Sequence, residues 1–331
     1  LSPYFYPHVG GVEKHVYEIG KRLKARGERV IVVTVKYDEN LSDREVKDGI
    51  EILRFKYPKI KFLGLFSIWL WLFKNVSLIY KSDIIHCHDV FIWYLPFRFL
   101  FPFKPVFTTF HGWEGKYPIP SKNIVHKKLA SFLSKKTIAV GKFIEKYYGI
   151  KSNLITYGAT DVPKNFPGKT KNSIVFVGRL EKDTGLSTLL NTLKRSTDLD
   201  QWIKLKIEFC GDGPLASRCK KYGKVYGFTD PKQYLSKAKF CFASGYLSIL
   251  EAFAHKCLVF VAYDNELKKD YFEMTPFSKW IIASNDPKII AKKLVYFYYN
   301  SKAQEALLNS GYNWVKGETW EKLTEKYLSI W

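Results

Sequence analysis

The sequence contains little cysteine or methionine and no long apolar run. Its five cysteines are odd in number and none forms a Cys-x-x-Cys pair, which predicts neither a zinc site nor a disulfide framework and fits a reducing cytoplasm. The two most aromatic segments, residues 62–73 and 91–103, are far shorter than the ~20 apolar residues of a membrane-spanning helix. No charged start followed by an apolar stretch and a cleavage site is visible, so no secretory signal is predicted.

Acidic residues are also scarce. The 331 residues include 53 Lys and Arg against 31 Asp and Glu, which gives a net charge of +22. This charge predicts attraction to phosphorylated ligands, anionic lipid or nucleic acid, and does not choose among them. Nucleic-acid binding has only the charge in its favour, because the sequence has no zinc-finger spacing, RNA-recognition aromatic motif or basic heptad region.

Short β-branched runs alternate with helical patterns along the whole chain, which predicts an α/β fold with mostly parallel sheets. Gly, Pro, Thr, Asn and Lys cluster without an apolar face at residues 158–172, and this predicts a linker between domains at 1–157 and 173–313. The chain begins at Leu1 in what reads as the end of a strand, so the first strand is expected to be truncated. The aromatic segments fit either core helices or an interfacial membrane face.

Two motifs of the first half are candidates for ligand binding. Gly10 and Gly11 lie between the strand fragment and a helix, where free N–H groups could bind a phosphate, although a tight turn explains them equally well. His111 follows a predicted strand and precedes a glycine, so it could donate a hydrogen bond to a sugar or polarise a reacting oxygen. His86 is interpreted as structural.

The second half carries the charged and glycine-rich candidates. Arg179 and Lys182 follow a strand and could neutralise a departing diphosphate, whereas a solvated charge run is the alternative. Glu251 lies in a helix and could accept both hydroxyls of a ribose, unless it is only a surface residue. Further donor contacts are predicted from turns, a flat apolar wall and a small-residue loop, at Gly211, Gly213, Phe228, Ser244, Gly245 and Tyr246.

In this order and at these spacings, several stretches resemble the family 4 (group 1) glycosyltransferases over nearly the whole chain. They are SPYFYPHVGGVEKHV, DIIHCHD, TTFHG, ITYGATD, FVGRLEKDTGLSTLL, GDGP and LEAFAHKCLVF. The resemblance implies the GT-B fold, in which two Rossmann-like domains with parallel sheets face an interdomain cleft. It also implies an acceptor-side first domain, a nucleotide-sugar-binding second domain, and a helix at residues 314–331 that crosses back to the first domain.

The resemblance assigns roles to four residues by position. Gly11 would meet the diphosphate or sugar, His111 the donor sugar, Arg179 the diphosphate and Glu251 the ribose. The sequence departs from the family at Thr184, where a lysine is usual, and at Ala243, or Ser244 in a shorter loop, where a glutamate normally holds the sugar. These departures leave open an altered donor, a weakened enzyme or an inactive relative.

The leading hypothesis is a hexosyl-type glycosyltransferase that uses a nucleotide-sugar as co-substrate and retains the anomeric configuration. Its acceptor is expected to be a lipid-linked glycan or other cell-surface glycoconjugate, and its location peripheral on the cytoplasmic membrane face. No cofactor or metal is expected; Asp198 and Asp200 have a metal-motif spacing but fit a solvated loop better. The alternatives are a non-catalytic, sugar-nucleotide-binding or scaffolding subunit of a glycan-assembly complex and a sugar-nucleotide epimerase.

Overall fold

Parallel strands covered by helices form both halves of the chain. A computed structural model describes residues 1–56, 58, 63–166, 168–200 and 205–331. They divide into two units, one of Leu1–Thr156 with Glu321–Trp331 and one of Tyr157–Trp320.

The first unit alternates strands and helices after its opening residues. Its elements are α1 (Gly11–Ala25), β1 (Ile31–Lys36), β2 (Arg44–Lys47), β3 (Ile50–Lys56), α2 (Leu63–Lys74), α3 (Val76–Lys81), β4 (Ile85–His88), α4 (Phe91–Leu100), β5 (Val106–Phe110), α5 (Ser121–Leu133), β6 (Lys136–Val140), α6 (Phe143–Tyr148) and β7 (Leu154–Thr156). One sheet has the order β1-β3-β2, with only β2 antiparallel, and the other is the parallel sheet β4-β5-β6-β7.

The opening residues lie between these two sheets. The Leu1 amino group donates to the His86 carbonyl at 2.7 Å and the His88 N–H donates to the Leu1 carbonyl at 2.9 Å, while the Ser2 N–H donates to the Val33 carbonyl at 3.1 Å. A cavity of about 590 Å³ opens beside this stretch, between α1, β1 and β4. Its lining includes none of the site residues predicted from the sequence, so it receives no function from them.

The second unit is built on one six-stranded parallel sheet of order β10-β9-β8-β11-β12-β13. Its elements are β8 (Thr170–Val177), α7 (Leu186–Leu199), β9 (Lys206–Cys210), α8 (Ala216–Cys219), β10 (Gly223–Val225), α9 (Lys232–Leu235), β11 (Ala238–Ala243), α10 (Tyr246–Ala254), β12 (Leu258–Ala262), α11 (Glu266–Glu273), β13 (Ile281–Ser284), α12 (Pro287–Tyr299) and α13 (Ser301–Val315), with short 3-10 helices at Lys182–Thr184 and Ser278–Trp280. The strand order reverses between β8 and β11, and open parallel sheets bind ligands at such a reversal. The Rossmann-like arrangement places that point beside the loops that follow β8 and β11.

The core of the second unit explains its apolar periodicity. Phe176, Phe209 and Phe260 point from the sheet into a cluster with Leu190 and Leu294 of the covering helices, and all five are buried. Completely buried side chains of this size contribute about 1.5–3 kcal/mol each relative to exposure, so this layer dominates the stability of the unit.

Several boundaries differ from the sequence predictions. β8 begins at Thr170, inside the predicted linker, and the helix predicted at residues 314–331 is wrong as one continuous element. α13 ends at Val315 and a separate helix, α14 (Trp320–Ile330), follows, because Gly317 and the turn around it interrupt the helical backbone. The short strands β2, β10 and β13 were not predicted, since runs of three or four residues carry little periodicity.

The aromatic segments form helices with two different faces. In α2, Ile68 and Leu72 are buried whereas Phe66 and Phe73 are exposed. Residue 62 lies outside the described residues. Among the helices of the described ranges, none combines the length and hydrophobicity needed to cross a membrane.

Candidate active site

Two loops of the second unit interlock at the carboxyl edge of its sheet. The Gly178 N–H donates to the Cys210 carbonyl at 3.1 Å and the Leu180 N–H donates to the Asp212 carbonyl at 2.8 Å. A Cβ added at Gly211 would collide with the Gly178 carbonyl, and one added at Gly213 would lie 2.7 Å from the Leu180 oxygen. Close loop packing therefore requires both glycines, and their contact with a donor stays a prediction.

Arg179 leaves this edge of the sheet with its side chain about half exposed. Its guanidinium forms ion pairs with Glu181 and, at 2.7 Å, with Asp183. Lys182 is exposed in the same loop. Glu181 and Asp183 hold the Arg179 guanidinium in a fixed position. A bound diphosphate would have to displace these two carboxylates to reach it.

Thr184 does not offer a charge to this loop. It is buried, and its hydroxyl donates to the Glu181 carbonyl at 2.7 Å, which closes the short 3-10 helix. Gly185 follows with φ +74°, a left-handed conformation that favours glycine. The position where the family usually has lysine is thus a structural turn in this chain.

The loop between β11 and α10 lies directly beside the end of β8, two residues before Arg179. The Ser244 N–H donates to the Val177 carbonyl at 3.3 Å, and Gly245 begins α10 with its N–H donating to the Ser248 hydroxyl at 3.2 Å. Tyr246 is instead buried: its hydroxyl donates to the Tyr271 carbonyl at 2.6 Å and the two rings stack at 3.9 Å. Ser244 and Gly245 are therefore the more accessible donor-site candidates of this loop.

Glu251 is buried in the second turn of α10, with only 5% of its surface exposed. Burial, together with the charges of Glu208, Asp230 and Glu251, raises the pKa of Cys210, the last residue of β9, to about 12. A solvent-exposed surface glutamate, the alternative reading of the sequence, is excluded.

Phe228 lies beyond the end of β9 and exposes about half of its surface. The backbone beside it is anchored, because Gly227 pairs with Gly211 and the Tyr226 N–H donates to the Phe209 carbonyl at 2.9 Å. An exposed ring on an anchored backbone is suited to stack on a nucleobase.

Lys268 is a cation of this region that sequence reasoning missed. It is buried in the first turn of α11, where its Nζ donates to the Ser244 carbonyl at 3.0 Å and lies 4.5 Å from the centre of the Tyr271 ring. Burial lowers its pKa to about 8, and the charges of Asp183 and Arg179 oppose each other in their effect on it. No sequence motif around Lys268 predicts a functional role. The indication that the sequence offers is its position in the first turn of the helix that follows β12.

In the first unit, the N-terminus of α1 is covered by the side chain of Glu13 from the same helix. Gly10 is the N-cap residue, and the Glu13 carboxylate fills the space that a Cβ at Gly10 would occupy. Glu13 also binds His8 Nδ1 at 2.7 Å. A phosphate at Gly10 and Gly11 would have to compete with this carboxylate for the positive end of the helix.

His111 follows β5 and is fixed by its surroundings. Its backbone N–H donates to the Asp89 carboxylate at 3.1 Å, and its Nε2 lies 2.9 Å from His88 Nδ1. Lys127, buried beneath the loop, donates to Asp89 at 3.2 Å and to the Gly112 carbonyl at 2.6 Å. Nε2 is thus engaged within the unit, and the predicted donor contact requires Nδ1.

A chain of hydrogen bonds runs behind His111 to α14. Trp331 Nε1, which can only donate, gives its proton to His86 Nδ1 at 3.0 Å, so His86 Nε2 carries a hydrogen and donates to the Thr109 hydroxyl at 2.8 Å. The Thr109 hydroxyl then donates to the Tyr327 hydroxyl at 3.0 Å, and Tyr327 donates to His15 Nε2 at 2.7 Å. The interpretation of His86 as structural agrees with this position.

Burial keeps the four histidines of this region neutral. It lowers the pKa of His15, His86 and His88 well below the ordinary value, and that of His111 to about 3. Among the residues that the structure describes, no group of His, Cys, Asp and Glu has the arrangement of a metal site.

Known protein families and solved structures resemble this chain in both of its units. The family model for Glycosyltransferase Family 4 matches residues 9–151, which hold the Gly10–Gly11 and His111 motifs. A glycosyltransferase from Rickettsia africae has a TM-score of 0.69 at 17% identity, with 99% of this chain and 96% of that chain covered. Anabaena HepE, solved with UDP and glucose, has a TM-score of 0.70 at 12% identity, covering 99% and 98%.

The first unit of the chain is therefore similar to the family 4 glycosyltransferases over residues 9–151. The α/β class and the GT-B fold expected from the sequence are confirmed by the parallel sheets and by these neighbours. The resemblance to family 4 that the motifs indicate is likewise supported by the family-model match at residues 9–151.

Curated proteins that are similar to this chain are named for one enzyme, phosphatidylinositol N-acetylglucosaminyltransferase. Its gpi3 subunit from Schizosaccharomyces pombe is 24% identical over 265 residues, which are 72% of this chain and 56% of that protein. A human subunit of the same enzyme is 33% identical over 95 residues, 28% of this chain and 19% of that protein. The chain thus spans about half of the first relative and about a fifth of the second.

Proposed function

We propose that this glycosyltransferase moves a hexosyl-type sugar from a nucleotide-sugar donor to a lipid-linked acceptor, with retention of the anomeric configuration and without a metal or cofactor. The observation that carries the proposal is the meeting of Arg179, Lys268 and the Ser244 loop at the strand-order reversal of the second unit. Open parallel sheets bind nucleotides at such a point.

The transfer reaction requires this site mainly to stabilise the leaving diphosphate. The bond from the anomeric carbon to the donor phosphate breaks, a bond to the acceptor oxygen forms on the same face, and the acceptor proton passes to the departing diphosphate. Arg179 and Lys182 neutralise the charge that develops on that diphosphate. Glu251 accepts the ribose hydroxyls, Phe228 stacks on the base, and His111 contacts the donor sugar.

A lipid acceptor is supported by the relatives and by the charge. The curated relatives are named for phosphatidylinositol, a membrane lipid. The net charge of +22 favours an anionic leaflet, where each basic residue near the surface contributes on the order of 1 kcal/mol. We place the protein peripherally on the cytoplasmic face of a membrane.

A thermal-shift screen with UDP-, GDP- and ADP-sugars and the free diphosphates tests donor binding. One nucleotide should raise the melting temperature, and Arg179→Ala or Glu251→Gln should abolish that rise. Arg195→Ala, which removes an exposed arginine of α7, is the matched control and should keep it. If no nucleotide shifts the melting temperature, the donor site proposed here is wrong.

A second candidate, a non-catalytic subunit that binds sugar-nucleotide, is favoured by one specific arrangement. Arg179 is paired with two carboxylates of its own loop, and Thr184 and Ala243 are buried where the family usually has a lysine and a glutamate. Sugar transfer to a phosphatidylinositol or polyprenyl-lipid acceptor would eliminate this candidate. Donor binding without transfer to any lipid acceptor, in a screen that includes both classes, would favour it.

A further inference from the structure

One lysine of α5 is enclosed beneath the loop that carries His111. Lys127 is only 6% exposed, and its ammonium group lies 4.6 Å from the centre of the Tyr148 ring and 5.3 Å from that of Phe110. A buried ammonium group loses hydration, whereas an apolar side chain of similar size in the same place would not. Packing therefore does not explain a lysine at this position.

Lys127 joins two segments that follow neighbouring strands. Its Nζ donates to the Asp89 carboxylate at 3.2 Å, directly after β4, and to the Gly112 carbonyl at 2.6 Å, shortly after β5. It also lies 3.7 Å from the carboxylate of Glu114, which accepts a hydrogen bond from the Tyr148 hydroxyl at 2.8 Å. This one ammonium group thus holds the loop after β5 against the end of β4.

Asp89 passes this restraint on to His111. Both carboxylate oxygens of Asp89 lie 3.1 Å from the His111 nitrogen and accept its N–H. Asp89 has φ +58°, a left-handed conformation that is uncommon for a residue other than glycine and persists where surrounding contacts hold it. The salt bridge to Lys127 is one of these contacts, so charge helps to fix the backbone at the start of the loop.

The backbone position determines which atoms the His111 ring presents. Its Nε2 lies 2.9 Å from His88 Nδ1, so a ligand would contact Nδ1. Burial, and secondly the charge of Lys127, lower the pKa of His111 to about 3, and a neutral ring has one donor and one acceptor nitrogen. Lys127 thus acts on both the placement and the charge of His111.

We propose that Lys127 is a positioning residue for His111 in sugar transfer, acting through Asp89 and the Gly112 carbonyl. The proposal rests on the function proposed above, in which His111 contacts the donor sugar. A displacement of about 1 Å in a group that positions a substrate can slow a reaction about a hundredfold. Lys127 therefore supports the reaction without touching the substrate.

Amide hydrogen exchange, measured by NMR, tests the restraint without any substrate. Lys127→Met keeps an unbranched side chain but removes its charge, so the His111 amide should exchange at least about tenfold faster, while the amides of β6 keep their rates. Asp89→Asn retains an oxygen acceptor and tolerates positive φ, so it should give a smaller acceleration at the same amide. The matched control is Lys128→Met, an exposed neighbour on α5, which should leave the exchange unchanged.

Sugar transfer gives the second readout, with phosphatidylinositol as acceptor and the nucleotide-sugar that the thermal-shift screen identifies as donor. Lys127→Met should lower kcat at least about tenfold and change the KM of the donor less than about threefold, because the second unit supplies most of the proposed donor contacts. Lys128→Met should retain full activity. If the wild-type chain transfers no sugar, the function proposed above fails, and the exchange rates still decide whether Lys127 holds the loop.

Three results would overturn the proposal. The first is an unchanged exchange rate of the His111 amide in both Lys127→Met and Asp89→Asn. The second is an acceleration spread equally over the first unit, which would indicate a general loss of stability. The third is full transfer activity in Lys127→Met despite a loosened loop.

Discussion

Replacing Tyr327 with phenylalanine tests how α14 is held in the first unit. The Tyr327 hydroxyl is completely buried, accepts a hydrogen bond from Thr109 and donates one to His15. Phenylalanine keeps the ring, and with it the stacking on His86 at 5.4 Å, so packing should change little. The variant therefore isolates the two hydrogen bonds.

The expected loss in the free energy of unfolding follows from the groups that lose a hydrogen bond to the Tyr327 hydroxyl. The Thr109 hydroxyl keeps the bond from His86 Nε2 but loses the acceptor for its own hydrogen, and His15 Nε2 loses the Tyr327 donor. Both groups are buried, and a buried polar group that loses a hydrogen bond costs about 1–3 kcal/mol, so Tyr327→Phe should lower the free energy of unfolding of the first unit by about 2–6 kcal/mol. The Thr109–Tyr327 bond is lost in both single variants, so adding Thr109→Val should give a double variant that is less destabilised than the sum of the single changes.

Urea unfolding followed by tryptophan fluorescence measures these values, with separate transitions for the two units fitted independently. Tyr296→Phe, at a half-exposed position of α12, is the control and should change stability by less than about 0.5 kcal/mol. A loss below about 0.5 kcal/mol for Tyr327→Phe would show that the hydrogen-bond chain does not hold α14.

Three further predictions concern other residues. Burial lowers the pKa of His111 to about 3, so as the pH drops below about 6.5 this residue takes up a proton in the unfolded chain but not in the folded one. The free energy of unfolding of the first unit should therefore fall by about 1.4 kcal/mol for this residue between pH 7.5 and 5.5. Urea titrations that show no loss over this range would contradict the prediction. Lys268, with a pKa of about 8, should support diphosphate binding only while protonated, so affinity measured by calorimetry should fall above pH 8, and Lys268→Met should remove that step. Gly185→Ala should cost at least about 2 kcal/mol more than Gly27→Ala in thermal unfolding, because both glycines have positive φ but only at Gly185 would the Cβ collide with a carbonyl, that of Ala262.

The sequence by itself determined most of the elements and their order. The run at Val106–Phe110 is a strand with the bounds that its apolar residues predict, and β8, β9, β11 and β12 of the second unit follow their β-branched and aromatic runs within a few residues, whereas β10 and β13 were not predicted. Such patterns depend on neighbours along the chain, because a strand or helix face repeats every two to four residues. The motif order was sufficient to predict the resemblance to family 4 that the match over residues 9–151 supports, and the excess of Lys and Arg predicted the positive charge.

Only the tertiary structure decided which groups meet. Tyr327 and His15 are 312 residues apart in the chain, and Lys268 reaches the Ser244 carbonyl from another helix, so no local pattern could pair them. The two faces of α2 likewise look alike in sequence, since both are apolar. Packing against α4 and the sheet selected the face with Ile68 and Leu72 for burial and left Phe66 and Phe73 outside, because each residue's environment is set by elements distant along the chain.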